Sequence, residues 1–479
     1  MSEQSAYEPV IGLEIHVQLA TATKMFCGCA LSFGEPPNTR TCPVCLGLPG
    51  SLPVANARAI HFGLMIGLAL GSELAPRSIF HRKNYFYPDL PKGYQISQYD
   101  EPLCLGGALG EVRIHRVHLE EDAAKLTHVG ASGRIHGSDA SIVDFNRGGT
   151  PLAEIVTEPD LRSAEQAGEW LRLLRTTLRR LGVSDVNMEE GSLRCDANIS
   201  LRPAGSEELG TKTELKNMNS FRFIERGIRA ELARQEKIIR GGGQVAQETL
   251  HFDPGSAAIT SLRSKEEAHD YRYFPEPDLI PIAIDEQMLA AARADMSELP
   301  ADRAERFRRE LSLSEESAQL LAFRGELGDF FEAALAAQAE VPPQALANWV
   351  GVELASRLDD GADPAGAKVT PAALAALVGM VSAKQVSVGA GRQVLDKLVS
   401  DGGDPAAIVQ AEGLGSIGDS DELAAIVAAA LAANPDAAQR VRDGNAKAIG
   451  PIVGHVMRET KGRADGTEVS RLIEQQLAG

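Results

Sequence analysis

Val10-Ile11-Gly12-Leu13-Glu14-Ile15-His16-Val17-Gln18-Leu19 alternates with a period of two. Ile11, Leu13, Ile15, Val17 and Leu19 share one face of an extended chain, and Glu14, His16 and Gln18 share the other. The run predicts a strand with one face in a core and the other presenting acid and imidazole. Leu193 to Leu201 repeats the pattern, with Leu193, Cys195, Ala197, Ile199 and Leu201 opposed to Arg194, Asp196, Asn198 and Ser200. Two further acid-bearing runs lie between them, His118-Leu119-Glu120-Glu121-Asp122 and Thr150 to Val156. The second sets Glu154 in an apolar stretch, where an unpaired carboxylate is costly. If these strands share a sheet, their carboxylates converge, and a hard cation relieves the repulsion. Mg²⁺ takes oxygen ligands and usually holds substrate phosphates. Any one acid also suits a solvated sheet face; recurrence across four runs favours a metal and phosphate pocket.

A second cluster is built from softer atoms. Cys27-Gly28-Cys29 and Cys42-Pro43-Val44-Cys45 are two thiol pairs separated by twelve residues, which suits tetrahedral Zn²⁺. Four thiolates at Cys27, Cys29, Cys42 and Cys45 leave zinc no open position, so the expected role is to staple a loop. Cys104 and Cys195 stand alone, and neither has the setting of a nucleophile.

At 479 residues the chain exceeds one ordinary core, so on the order of two to four domains are expected. No apolar run approaches the roughly 20 residues of a membrane helix. The first seven residues have neither a basic region nor an apolar signal core, which places the chain in the cytoplasm. A net charge of -18 disfavours loose adhesion to nucleic acid, so any RNA contact needs local basic surface.

The pattern predicts an α+β first domain over residues 1–294, a helical domain over 295–405 and a small helical tail over 406–479. In the first, Ser163 to Leu181 reads as a helix with a Ser163/Gln166 capping box, and Phe221 to Arg240 as another, stopped by Gly241-Gly242-Gly243. In the second, Ala301 to Arg324, Pro342 to Leu358 and Pro371 to Gly379 read as helices. Asp401-Gly402-Gly403-Asp404-Pro405 breaks the chain before the tail. There is no G-x-x-x-x-G-K-[ST] loop, no G-x-G-x-x-G following a strand-like run, no G-x-S-x-G and no evident glutaminase cysteine. A bound nucleotide would therefore rely on metal and carboxylates, and a reaction consuming ammonia would receive it from elsewhere.

Longer segments around these runs carry a resemblance. Val10 to Val17, Asn84 to Tyr94, His118 to Asp122, Asp144 to Arg147, Met188 to Asp196, Glu214 to Ser220 and Asp270 to Asp278 resemble the B-subunit family of tRNA-dependent amidotransferases. The likeness spans nearly the whole chain and is strongest from Val10 to Leu279. It implies a glutamine-synthetase-like cradle followed by a helical domain and a tRNA-gripping tail. It also implies ATP-dependent phosphorylation of the side-chain carboxylate of Glu or Asp misattached to tRNA(Gln) or tRNA(Asn). Ammonia from a partner amidase, the A subunit, then gives the amide, and a small C subunit completes the assembly.

Carried over by residue, the Mg²⁺ and ATP site is expected at Glu14, His16, Glu121 and Glu154, with Asp196 a further ligand and Glu121 taken over its neighbour Glu120. Phosphoryl transfer needs cations, and Lys83, Arg147, Arg194, Lys212 and Lys216 are the candidates. Arg82 to Tyr87 either stacks on a nucleobase or is a loop packed with its own rings. Lys447, His455, Arg458, Lys461 and Arg463 give the tail a basic aspect. The competing function is an ATP-dependent carboxylate-amine ligase on a free small substrate, and a zinc-stapled RNA-binding scaffold without catalysis is the third.

Overall fold

The computed structural model describes residues 6–32, 34–129, 138–264, 270–358, 362–416, 420–443, 445–460 and 462–478. The chain divides into two units, residues 1–299 and 300–479, of α+β and all-helical character.

The first unit is organised on a ten-stranded sheet. At its centre Tyr7–Gln18 lies antiparallel between Leu193–Pro203 and Pro151–Thr157, and the latter pairs with Val112–Glu121. All four acid-bearing runs therefore occupy neighbouring strands. Their register places His16 opposite Arg194 on one side and Glu154 on the other, Glu154 opposite His118, and Glu14 opposite Asp196. The alternating apolar face is fully inside: Ile11, Leu13, Ile15 and Val17 join Trp170, Leu174 and Leu178 in one core cluster.

Helices Ala164–Arg180 and Phe221–Arg240 contribute to that core. Ser163 accepts from the Gln166 backbone N–H at 3.1 Å, but the Gln166 side chain turns to the Arg162 N–H, so the expected capping box is only half made. Ser220 caps the second helix at 3.2 Å. That helix is the crossover between Thr213–Met218 and Glu248–Asp253, which pair in parallel. A further helix, Ala57–Ala69, is capped by Asn56 and buried through most of its middle, from Ala59 to Gly67. A separate small sheet joins His81–Asn84 to Tyr94–Ser97 and Phe274–Pro275.

The second unit is helical. The stretch expected as one helix from Ala301 to Arg324 is two, Pro300–Leu311 and Glu315–Phe323. The break falls at Ser312, whose φ of 52° cannot continue a right-handed helix, and Ser314 then caps the second helix at the Ser317 N–H. Helix Pro343–Asn348 runs on into a π-helical stretch, Trp349–Leu354. One core cluster gathers around Phe331, Leu374 and Leu395, and another around Val427, Ile452 and Ile473. Among the described residues no helix is long and apolar enough to cross a membrane.

Candidate functional site

The polar face of the central strands forms an acid and imidazole pocket. His16 Nε2 lies 3.8 Å from Glu14, 3.7 Å from Glu120 and 3.5 Å from Glu154. His118 Nε2 lies 3.7 Å from Glu120 and 3.2 Å from Glu154. Glu14, His16 and Glu154 offer one set of donor atoms within 4.8 Å of one another, and His118, Glu120 and Glu154 offer a second. Glu154 belongs to both and is only 4% exposed.

One expected ligand is corrected. Glu121 is not in this pocket, because adjacent strand residues point to opposite faces and His16 and His118 share their face with Glu120. Glu121 instead pairs with Lys92 and accepts the Ile96 N–H at 2.9 Å. It borders a cavity of about 190 Å³ whose lining includes Phe26, Cys45, Leu48, Lys92 and Tyr94. Glu120 takes its place, held by the Ser97 hydroxyl at 3.0 Å.

Burial disfavours the imidazolium form of His16, yet the Glu154 hydrogen bond and charge, followed by Glu120 and Glu14, raise its pKa to about 9. His118 is also raised to about 9, by Glu154 and Glu120 against burial. Glu154 is held well below the usual carboxylate range despite burial, chiefly by His118 and His16. Glu14 goes the other way, raised by burial and by the charge of Glu154. In the ion-free chain, protons on two imidazoles thus balance the clustered carboxylates. Three carboxylates and two imidazoles are donors that a divalent ion would take in exchange for those protons.

The expected cations ring this pocket unevenly. Lys83 is raised by Glu120, Tyr273 and Glu154 in spite of burial, so its charge belongs to the pocket. Arg194 reaches Asp122 at 2.9 Å and Arg147 lies 3.7 Å from the same carboxylate, with further guanidinium bonds to the Ala123 and Ala124 carbonyls. Lys216 bridges Asp196 at 2.7 Å and Glu214 at 2.9 Å, which ties Asp196 at the border beside Glu14. Lys212 is exposed. Sequence reasoning ranked Glu120 behind Glu121 and missed His118 and Arg116, the last 3.7 Å from Glu154. Their signal lay in the alternation of one strand: residues 116, 118 and 120 sit at the same two-residue spacing as Glu14 and His16.

Cys27, Cys29, Cys42 and Cys45 do converge, with sulfurs within 4.8 Å of one another. Cys45 accepts the Cys42 N–H at 3.2 Å and is lowered to about 4, first by the Cys27 thiol and, more weakly, by Lys24. Cys29 is pushed up to about 11, first by burial. Four sulfur donors this close together fit an ion such as zinc, which would take them as thiolates. Lys24, 1% exposed, donates to the Phe145 carbonyl at 2.9 Å and approaches the Cys45 sulfur at 3.7 Å. In the tail, Lys447 and Arg458 are exposed, His455 contacts Asn434, and Arg463 donates to the Thr460 carbonyl. Lys461 lies outside the described residues.

A carboxylate and imidazole pocket on a sheet, bordered by Lys83, Arg116 and Lys216, offers donors that could hold a divalent ion and cations that suit anionic groups. Residues 9–290 match the GatB/GatE catalytic domain and residues 329–477 the GatB domain. The chain is 49% identical over 485 residues to the aspartyl/glutamyl-tRNA(Asn/Gln) amidotransferase B subunit of Anaeromyxobacter sp. (strain K), covering 99% of each. It is 50% identical to the B subunit of the same enzyme from Frankia casuarinae, over 98% of this chain and 96% of the relative. With that of Persephonella marina it shares 45%, over 98% and 99%. The chain belongs to this family of amidotransferase B subunits.

Proposed function

We propose that the chain is the B subunit of an aspartyl/glutamyl-tRNA(Asn/Gln) amidotransferase, a carbon-nitrogen ligase that converts Glu-tRNA(Gln), Asp-tRNA(Asn) or both to the amide. The full-length likeness to B subunits supports the activity, and the convergence of Glu14, His16, His118, Glu120 and Glu154 supports where it occurs. Its partners are the amidase or A subunit, the small C subunit, and the misacylated tRNA; its compartment is the cytoplasm. The first 294 residues serve as a glutamine-synthetase-like cradle, residues 295–405 as a helical domain, and residues 406–479 as a tRNA-binding tail whose exposed cations include Lys447 and Arg458.

The chemistry follows from leaving groups. A carboxylate resists attack by ammonia because oxide leaves poorly. Its oxygen attacks the γ-phosphorus of ATP and ADP departs; ammonia then adds to the acyl carbon and phosphate departs. Phosphoryl transfer demands positioning and charge stabilisation more than covalent help. Glu14, His16, Glu120 and Glu154, with His118 beside them, would hold Mg²⁺, which when bound neutralises phosphate oxygens. Lys83, partly desolvated beside Glu120 and Glu154, supplies fixed positive charge at the same place. Asp196, braced by Lys216, keeps an acidic wall beside Glu14. Arg147 and Arg194 hold Asp122, at the end of the strand that bears Glu120. The four cysteines would hold zinc as a structural staple.

The test is amide formation by the assembled three-subunit complex with aminoacyl-tRNA, ATP and glutamine. Glu154→Gln and Glu14→Ala should each lower the rate by at least about 100-fold with the complex intact. Undiminished amide formation in both would overturn this site, and ATP turnover indifferent to tRNA would instead support the free-substrate ligase.

A further inference from the structure

Five of the chain's seven tyrosines form one continuous ladder. Tyr87 stacks on Tyr85 with centroids 5.8 Å apart, Tyr85 meets Tyr271 edge-on at 6.4 Å, and Tyr271 meets Tyr273 at 6.1 Å. Tyr273 then stacks on Tyr99 at 4.4 Å with planes 10° apart. None of the five belongs to the hydrophobic core of the first unit, although Tyr94 packs against it. Rings that served only the fold would be expected there. Instead the ladder borders the acidic pocket. Lys83 Nζ lies 5.0 Å from the Tyr271 ring, and the Tyr273 hydroxyl feels Lys83, Glu120 and Glu154. The far end opens to solvent, with Tyr99 56% exposed.

The backbone that carries the ladder is constrained. Arg272, between two of its rungs, has a φ of 45°, a conformation that costs a residue with a side chain. Asn84 holds it there: its amide donates to the Tyr271 carbonyl at 3.0 Å and to the Arg272 carbonyl at 2.8 Å, and Asp270 accepts the Arg272 N–H at 3.0 Å. The two Asn84 bonds join segments 187 and 188 residues apart, so the alignment of the rings is enforced by long-range contacts.

We infer that this ladder is the stacking track for the unpaired 3′ end of the substrate tRNA, with Tyr99 its outer step and Tyr271 and Tyr273 its inner ones. The inference rests on the proposed reaction, which presents an acyl group on an RNA end to the pocket the ladder borders. Aromatic faces hold single-stranded bases whatever their identity, and a neighbouring cation suits the intervening phosphates. Lys83 supplies that cation at the inner end.

The experiment uses the assembled complex and measures dissociation constants for intact tRNA and for the same tRNA lacking its unpaired 3′ nucleotides, with the KM for ATP measured in parallel. Tyr99→Leu and Tyr273→Leu should each weaken intact tRNA by about 5- to 160-fold, the range of one base stack. Shortened tRNA and the KM for ATP should be unaffected, and Tyr99→Phe, which keeps the ring, should behave as the parent. A raised KM for ATP with unchanged tRNA affinity would assign the ladder to the adenine of the nucleotide and overturn the inference. So would identical binding of both RNAs by the parent and the leucine variants. Wild-type complex that fails to form amide on tRNA would sink the reaction itself, an outcome separate from either.

Discussion

Glu154→Gln in the metal-free chain should destabilise the first unit by an amount that depends on pH. Glu154 approaches His16 and His118 to 3.5 and 3.2 Å, and the His16 pKa of about 9 exceeds its ordinary 6.5. That difference, at about 1.4 kcal/mol for each pH unit, amounts to roughly 3 kcal/mol. The sign follows from linkage: the folded pKa is raised, so this stabilisation is complete below about pH 6.5 and fades as pH climbs through 9. The amide keeps the shape of Glu154 but removes its charge, while the burial that opposes His16 protonation remains. At about pH 6 the variant should therefore lose about 3 kcal/mol, and at about pH 9.5 less than about 1 kcal/mol. His118 shares Glu154, so its part is not simply added. A two-unit chain needs a local probe, and the two tryptophans provide one. Trp170 reports the first unit in a Trp349→Phe background, followed through urea unfolding in EDTA. Equal losses at the two pH values would refute the reasoning, since they would trace the cost to packing rather than to proton-linked charge.

Zinc content measured by atomic emission should be about one equivalent per chain and should fall sharply in Cys42→Ser and Cys45→Ser. Glu231 is fully buried and takes the Thr213 hydroxyl at 2.8 Å, the Gln235 amide at 2.9 Å and the Arg234 guanidinium at 2.7 Å. Glu231→Ala should cost about 3–5 kcal/mol in the Trp170-reported transition, because it strands these donors. Ser220→Ala removes the cap of the crossover helix and should cost about 1 kcal/mol in the same measurement.

The central strands were legible because the chemistry was written at their own period. Along Tyr7–Gln18, Ile11, Leu13, Ile15 and Val17 recur every second residue and are buried, and the pairing that aligned His16 with Glu154 needed only that these faces share a core. The choice between Glu120 and Glu121 was not legible locally, since both neighbours are acids and each strand face takes one. It was settled by partners distant in sequence: Ser97 for Glu120, and Lys92 with the Ile96 N–H for Glu121. Helix Ala57–Ala69 escaped for another reason. It is apolar on most sides, so it shows little stripe, and it carries Gly63 and Gly67, which read as helix breakers. The structure uses those glycines for close approach: an added Cβ would lie 2.5 Å from a Leu103 methyl at Gly63 and 2.4 Å from the Cys104 sulfur at Gly67. Tyr271 and Tyr273 gave no local sign of joining Tyr85 and Tyr87 either, because the long-range Asn84 bonds bring them there.

Glu120 and Glu121 show how one strand serves two environments. Both are buried, and a lone buried carboxylate is unfavourable, so each must find positive charge on its own side of the sheet. Glu120 finds it in His16, His118 and Lys83, whose protons and charge a divalent ion can supplement or replace. Glu121 finds a single lysine, Lys92, and a backbone N–H, a closed arrangement with no second acid within its ion pair among the described residues. Hard donors are thereby collected on one face, while the cavity bordered by Glu121 and Cys45 lies on the other side of that residue's backbone. A one-residue slip of Val112–Glu121 against Pro151–Thr157 would exchange the two acids and bury His118 against the core. The pairing of His118 with Glu154 makes that slip costly, so the contact that builds the pocket also fixes the register of the strand that carries it.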